Sequence, residues 1–150
     1  MTDTHKLSLS VQYAIDSKKI PTRQQFRRWV KVALERDVQM VLRLVDESEG
    51  RALNLAYRGK DYPTNVLTFV YDDMPGGPLS GDVVICAPVV AREAKEQGKD
   101  LLAHYAHLTL HATLHLQGYD HQKQREAKRM EARETALLLK LRYPAPYLVS

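Results

Sequence analysis

"HATLHLQGYDH", residues 111–121, gathers three of the chain's six histidines into one short stretch. An α-helix turns by about 100° per residue, so His111 and His115 fall one turn apart on the same face and their imidazoles can converge. Gly118 follows, and glycine takes the left-handed conformation that ends a helix without steric penalty. The chain can then fold back and bring His121 to the same point. Three imidazoles fill three corners of a tetrahedral metal site and leave the fourth to water, the arrangement of a catalytic zinc; a structural zinc normally has four Cys or His ligands. Cys86 is the only cysteine, so a cysteine-rich structural site is excluded. The set suits one zinc ion per chain, although nickel and copper also accept imidazoles. His104 and His107 project from nearly the same helical face as His111. They are expected to support the ligands by packing or hydrogen bonding, since the three-ligand set is complete without them. Asp120 either orients a ligand or caps a turn.

Outward from this stretch, Asp100 offers an N-cap for the histidine-bearing helix, and Pro88 and Gly98 bracket a shorter helix before it. A last helix is predicted from roughly Gln122 to Arg142, with Ala127, Met130, Leu137, Leu138 and Leu141 on its apolar side. Towards the N-terminus, "LSLSVQYA" from Leu7 alternates as a half-buried strand does. Pro21 and Thr22 then open an amphipathic helix carrying Phe26, Trp29, Val30 and Ala33. "VQMVLRLVDESE" from Val38 reads as a second strand, and "GRALNLAYRGK" as a short helix or ordered turn. "NVLTFVYDD" and "GDVVICAP" are β-rich runs separated by the Pro- and Gly-containing loop "MPGGPLS". The expected fold is α+β: a small mixed four-stranded sheet packed by four to six helices, with a zincin-like metal helix.

At 150 residues and 44% hydrophobic content, the chain is expected to form one domain, residues 1–150, with its own core. The start "MTDTHKLSLS" lacks the pattern of a signal peptide and no apolar run approaches bilayer length, so a soluble cytoplasmic protein with no membrane partner is expected. A formal charge of +4 is compatible with a polyanionic partner without requiring one. With no heptad or strong exposed apolar stripe, a monomer is the expectation.

The spacing H-x-x-x-H-x-x-G-x-x-H resembles the metzincin protease signature H-E-x-x-H-x-x-G-x-x-H. Hydrolysis is the natural chemistry of a three-histidine zinc with an open position. In those proteases, however, the residue after the first histidine is the glutamate that serves as general base, and here it is Ala112. A methyl group accepts no proton. A phosphodiester suits such a site better than a peptide, because its nonbridging oxygens bind metal and arginine.

Three segments together resemble the YbeY endoribonucleases, also called rRNA maturation factors. "HATLHLQGYDH" is similar to the family's H-G-x-L-H-L-x-G-Y-D-H, "YRGKDYPTNVLTF" from Tyr57 to Phe69 is similar to Y-R-x-K-D-x-P-T-N-V-L-S-F, and "GDVVIC" from Gly81 to Cys86 to G-D-I-V-I-C. Ala112 replaces the usual Gly and Thr68 the usual Ser, and neither change touches a ligand position. The resemblance implies a single-strand-directed, metal-dependent endoribonuclease acting in 3′-end maturation of small-subunit (16S) rRNA and in late ribosome quality control. Its implied partners are single-stranded RNA, the small ribosomal subunit and one of its platform proteins. It further implies that His111, His115 and His121 bind zinc and that Arg58 faces the metal cleft and contributes to catalysis. A guanidinium is chemically apt there, since it grips phosphate bidentately.

Lys60 and Asp61 are weaker candidates, and Asp61 alternatively holds the turn before Pro63. RNA contacts are expected from Arg27, Arg28 and Lys31 and from Arg125, Lys128, Arg129 and Arg133, each cluster being equally readable as a solvated helix face. Two other functions are carried beside the nuclease. One is a metal-dependent peptidase, against which Ala112 argues; the other is a non-catalytic ribosome assembly factor in which zinc holds the last helices together.

Overall fold

The structure is a computed structural model and describes residues 5–16, 18–71, 77–119, 123–144 and 146. The alternating segment forms β1 (Leu7–Tyr13). A reciprocal cap starts α1 (Arg23–Val32): the Thr22 hydroxyl accepts from the Gln25 N–H, and the Gln25 side chain accepts from the Thr22 N–H. This helix buries Phe26, Trp29 and Val30. β2 (Val38–Val45) stops short of "DESE". The Asp46 carboxylate instead accepts from the Glu49 N–H and caps α2 (Glu47–Arg58), whose first-turn acids sit at the positive end of the helix dipole. The segment read as a short helix or ordered turn is thus a helix of 12 residues, closed by Gly59 at φ 69°.

β3 (Val66–Val70) and β4 (Leu79–Cys86) follow, then α3 (Ala87–Glu96) with Pro88 in its first turn. Asp100 caps α4 (Leu101–Leu116) by accepting from the Ala103 N–H, and α5 (Gln124–Lys140) lies inside the span expected for the last helix. Among the described residues no helix is long and apolar enough to cross a membrane.

The sheet order is β1-β2-β4-β3. β1 and β4 both run parallel to β2, while β3 is antiparallel to β4, so the sheet is mixed as expected and β3 forms one edge. Side chains alternate across β4 and separate two cores. Val83 and Ile85 join the larger core with residues of α1, α4 and α5; Val84 and Cys86 face a smaller one with Val45, Leu67 and Val89, against which Leu53 of α2 packs. α2 and α4 therefore lie on opposite faces of the sheet with edge strand β3 between them.

α4 is apolar almost all round, which suits a central helix. Tyr105, Ala106, Leu110, Ala112 and Leu114 are all fully or almost fully buried, and each leucine so placed contributes about 1.5–3 kcal/mol. Its C-terminal end comes so near the sheet that a Cβ on Gly81 would lie 2.1 Å from Leu116 Cδ1 and 2.6 Å from the Phe69 carbonyl oxygen. Glycine at 81 permits that approach, and the approach sets where the last turn of α4 stands relative to β3.

Candidate metal centre

A cavity of about 540 Å³ opens along the β3 edge. His111 and His115 of α4 line it from one side of the sheet, Tyr57 and Arg58 at the end of α2 from the other, and Thr64 to Phe69 form the wall between them.

The turn after α4 holds one of these rings. Gly118 adopts φ 106°. The Gly118 N–H donates to the His115 carbonyl (3.0 Å) and the Tyr119 N–H to the Leu114 carbonyl (3.1 Å), the pair of bonds that closes a helix on a left-handed residue. The chain turns back, and the Tyr119 carbonyl oxygen comes 3.2 Å from His115 Nδ1. A carbonyl only accepts, so Nδ1 carries the proton and Nε2 the lone pair. The turn is clamped in place by the Tyr119 hydroxyl on Glu35 (2.8 Å) and by the Arg129 guanidinium 5.2 Å above the Tyr119 ring.

A carboxylate holds the other ring. Glu134 of α5 is completely buried, with Oε2 2.8 Å from His111 Nδ1 and Oε1 2.6 Å from His107 Nε2. Accepting from both rings, it gives His111 the same tautomer as His115. This is the usual environment of a metal-binding histidine, one nitrogen held by an oxygen acceptor and the other presented as a ligand. The donor set therefore fits a divalent ion that accepts imidazole. Among the described residues no group of three His, Cys, Asp or Glu is disposed to hold a metal. His121, the third expected ligand, and Asp120 lie outside the described residues.

The supporting histidines divide. His107 shares Glu134 with His111, whereas His104 turns to another carboxylate: its Nε2 lies 3.0 Å from Glu93 Oε1 on α3. Burial holds the His104 pKa below its ordinary value, with the Glu93 hydrogen bond opposing. Glu93 also accepts from Asn65 Nδ2 at 3.1 and 3.2 Å, and Asn65 lines the cavity. Sequence reasoning missed Glu134 and Glu93. For Glu134 a signal existed: it falls one helical turn from Met130 and Leu138, on the face of α5 expected to be apolar, where an acid needs a partner.

The remaining candidates are dispersed. Lys60 is exposed beyond Gly59 and does not line the cavity. Asp61 receives a two-pronged bond from Arg51 (2.7 and 3.0 Å), which holds its carboxyl below the usual carboxylate range. Arg27, Arg28 and Lys31 are exposed on α1, and Arg27 lines a separate hollow with Leu9 and Val11 at the β1 edge, opposite the cavity. Of the α5 cluster, Arg129 stacks on Tyr119, Arg133 lies 3.5 Å from Glu35, and Arg125 and Lys128 are exposed. Arg129 thus borders the turn after α4 and Arg133 reaches the Glu35 that holds it, while the α1 cations stand apart.

Known proteins resemble the chain over most of its length. The family described as Endoribonuclease YbeY matches residues 11–142. A protein of Nitrosomonas europaea named Endoribonuclease YbeY is 55% identical over 144 residues, covering 96% of this chain and 87% of its own length. Its namesake from Thiobacillus denitrificans is 56% identical over 142 residues, covering 95% and 97%. The solution structure of a Thermotoga maritima protein superimposes with a TM-score of 0.54 over 88% of this chain and 91% of that one, at 24% identity, and shows the same fold.

Proposed function

The chain belongs to the Endoribonuclease YbeY family, and from that premise we propose that it is a hydrolase that cleaves phosphodiester bonds of single-stranded RNA. In this reading it works as a single-domain monomer in the cytoplasm, on the small ribosomal subunit, in maturing the 3′ end of 16S rRNA and in late ribosome quality control. The observation that carries the reading is one cavity lined by Arg58 and by two histidines whose Nδ1 atoms are held by oxygen acceptors.

His111 and His115, with His121, would hold one zinc ion. Such an ion, when bound, supplies Lewis acidity and makes a water acidic enough to ionise near neutral pH. The chain's own residues do the rest. Glu134 and the Tyr119 carbonyl fix the tautomers and angles of the two rings. Arg58, at the open end of α2, binds nonbridging phosphate oxygens and stabilises the charge that grows on them as the bond to the leaving oxygen breaks. Ala112 is fully buried in the main core, so the position that carries the base in zinc proteases does not face the cavity. That favours RNA over peptide.

Metal analysis combined with cleavage of an unstructured RNA tests the reading. Wild type should hold stoichiometric zinc and cut. Arg58→Ala should keep the metal and lose about 100-fold or more in kcat, whereas His115→Ala should lose both. Cleavage that survives His115→Ala, or that needs no metal, would overturn it.

A further inference from the structure

Trp29, Tyr105 and Phe26 are all fully buried, but Tyr57 leaves 67% of its surface in solvent. It sits immediately before Arg58 on the last turn of α2 and lines the same cavity as Arg58, His111 and His115. Exposure does not leave the ring adrift. Phe69 of edge strand β3 meets it edge-to-face, with centroids 5.0 Å apart and planes at 65°, and Phe69 lines the cavity as well. No acidic side chain is among the described residues lining this cavity, so its charged wall is cationic. A flat apolar ring, oriented by a second ring and set beside a guanidinium, matches a nucleotide: the phosphate goes to the cation and the base to the ring face.

Resting on the endoribonuclease reading, we propose that Tyr57 is a stacking platform for a nucleobase next to the phosphate held by Arg58. Stacking of this kind contributes enough binding to matter and tolerates any base, because every base has a π-face. It also gives a physical reason for single-strand preference. In a duplex, base faces are covered by their neighbours, and only an unpaired base can lay its face on the tyrosine.

The test uses the full chain, loaded with zinc, and a short single-stranded RNA carrying 2-aminopurine beside the cleavage position, since stacking quenches that fluorophore. Wild type should quench it on binding. Tyr57→Ala should abolish the quench and raise KM about ten-fold or more, with kcat changed far less and the melting temperature retained. Tyr57→Phe keeps the ring and should behave as wild type. Tyr62→Ala removes a comparably exposed tyrosine outside the cavity and should change nothing. Quenching and KM that persist in Tyr57→Ala, or a Tyr57→Phe variant as weak as Tyr57→Ala, would overturn the platform. The two readings fail separately. Tyr57-dependent quenching without cleavage keeps the platform and sinks the nuclease reading, while cleavage with no Tyr57-dependent quenching does the reverse.

Discussion

Glu134 approaches α4 from α5 and Glu93 approaches it from α3, and each accepts hydrogen bonds from histidine rings of that helix. Glu134 is wholly buried and uses one oxygen on His107 and the other on His111, which faces the cavity. Glu93 keeps 29% of its side chain exposed and divides itself between His104 and Asn65. The same pairing thus does two jobs. One carboxylate aims a candidate ligand, and the other fixes the segment that leads into β3 and forms the cavity wall. Burial sets the stakes, because a buried acid or imidazole stripped of its partner has no water to turn to.

Removing the buried member should have the larger effect. Glu134→Ala leaves His107 and His111 without this acceptor and opens a void between α4 and α5. A loss of about 3–5 kcal/mol in denaturant unfolding is expected, along with zinc affinity lower by about 10–100-fold in a chelator competition. Glu134→Gln retains one oxygen acceptor and should fall between the two proteins in both measurements. Zinc affinity equal to wild type in a folded Glu134→Ala protein would mean that Glu134 does not aim His111.

The partly exposed member sharpens the contrast. Glu93→Gln keeps size and an acceptor but gives up the charge, and solvent already weakens its bonds. The expected cost is about 1 kcal/mol or less, with zinc affinity unchanged. A drop in affinity as large as that of Glu134→Gln would merge the two carboxylates into one support for the metal site.

These carboxylates also mark where sequence stops being informative. Asp100 and Gly118 were readable as the ends of α4 because capping is local chemistry, settled within a few residues. The same local chemistry at Asp46 ends β2 and draws "ESE" into a helix. α2 looked short because its buried set is sparse and unconventional: only Gly50 and Asn54 are buried within it. The histidine spacing places His111 and His115 on one face without help from tertiary structure. The partnership of His111 with Glu134 spans 23 residues and depends on how α5 lies against α4. Likewise, no composition rule tells that the α1 cations belong to the β1 edge and Arg58 to the β3 edge. That is topology, fixed by the strand order β1-β2-β4-β3.

The smallest effect expected is a pH dependence confined to the Glu93 side. Burial holds folded His104 below the ordinary 6.5, with the Glu93 bond opposing. Above about pH 6.5 the ring is neutral in both states and contributes no slope. As pH falls through that value, the unfolded chain takes up a proton that the folded one resists, so stability declines until the folded pKa is also passed. Urea unfolding of the zinc-free protein between about pH 7.5 and pH 5, compared with His104→Gln, isolates this contribution from the other histidines. The stability difference between the two proteins should shift in favour of the variant as the solution is acidified. Glu93→Gln withdraws the bond that favours the protonated ring, so it should lower the folded pKa further and extend the decline to more acidic solution. A difference between wild type and His104→Gln that stays constant across the range would show that the ring takes up its proton alike in the folded and unfolded chains and is not held neutral by its surroundings, and a difference that shifts in favour of wild type on acidification would make the pairing with Glu93 that of two charges.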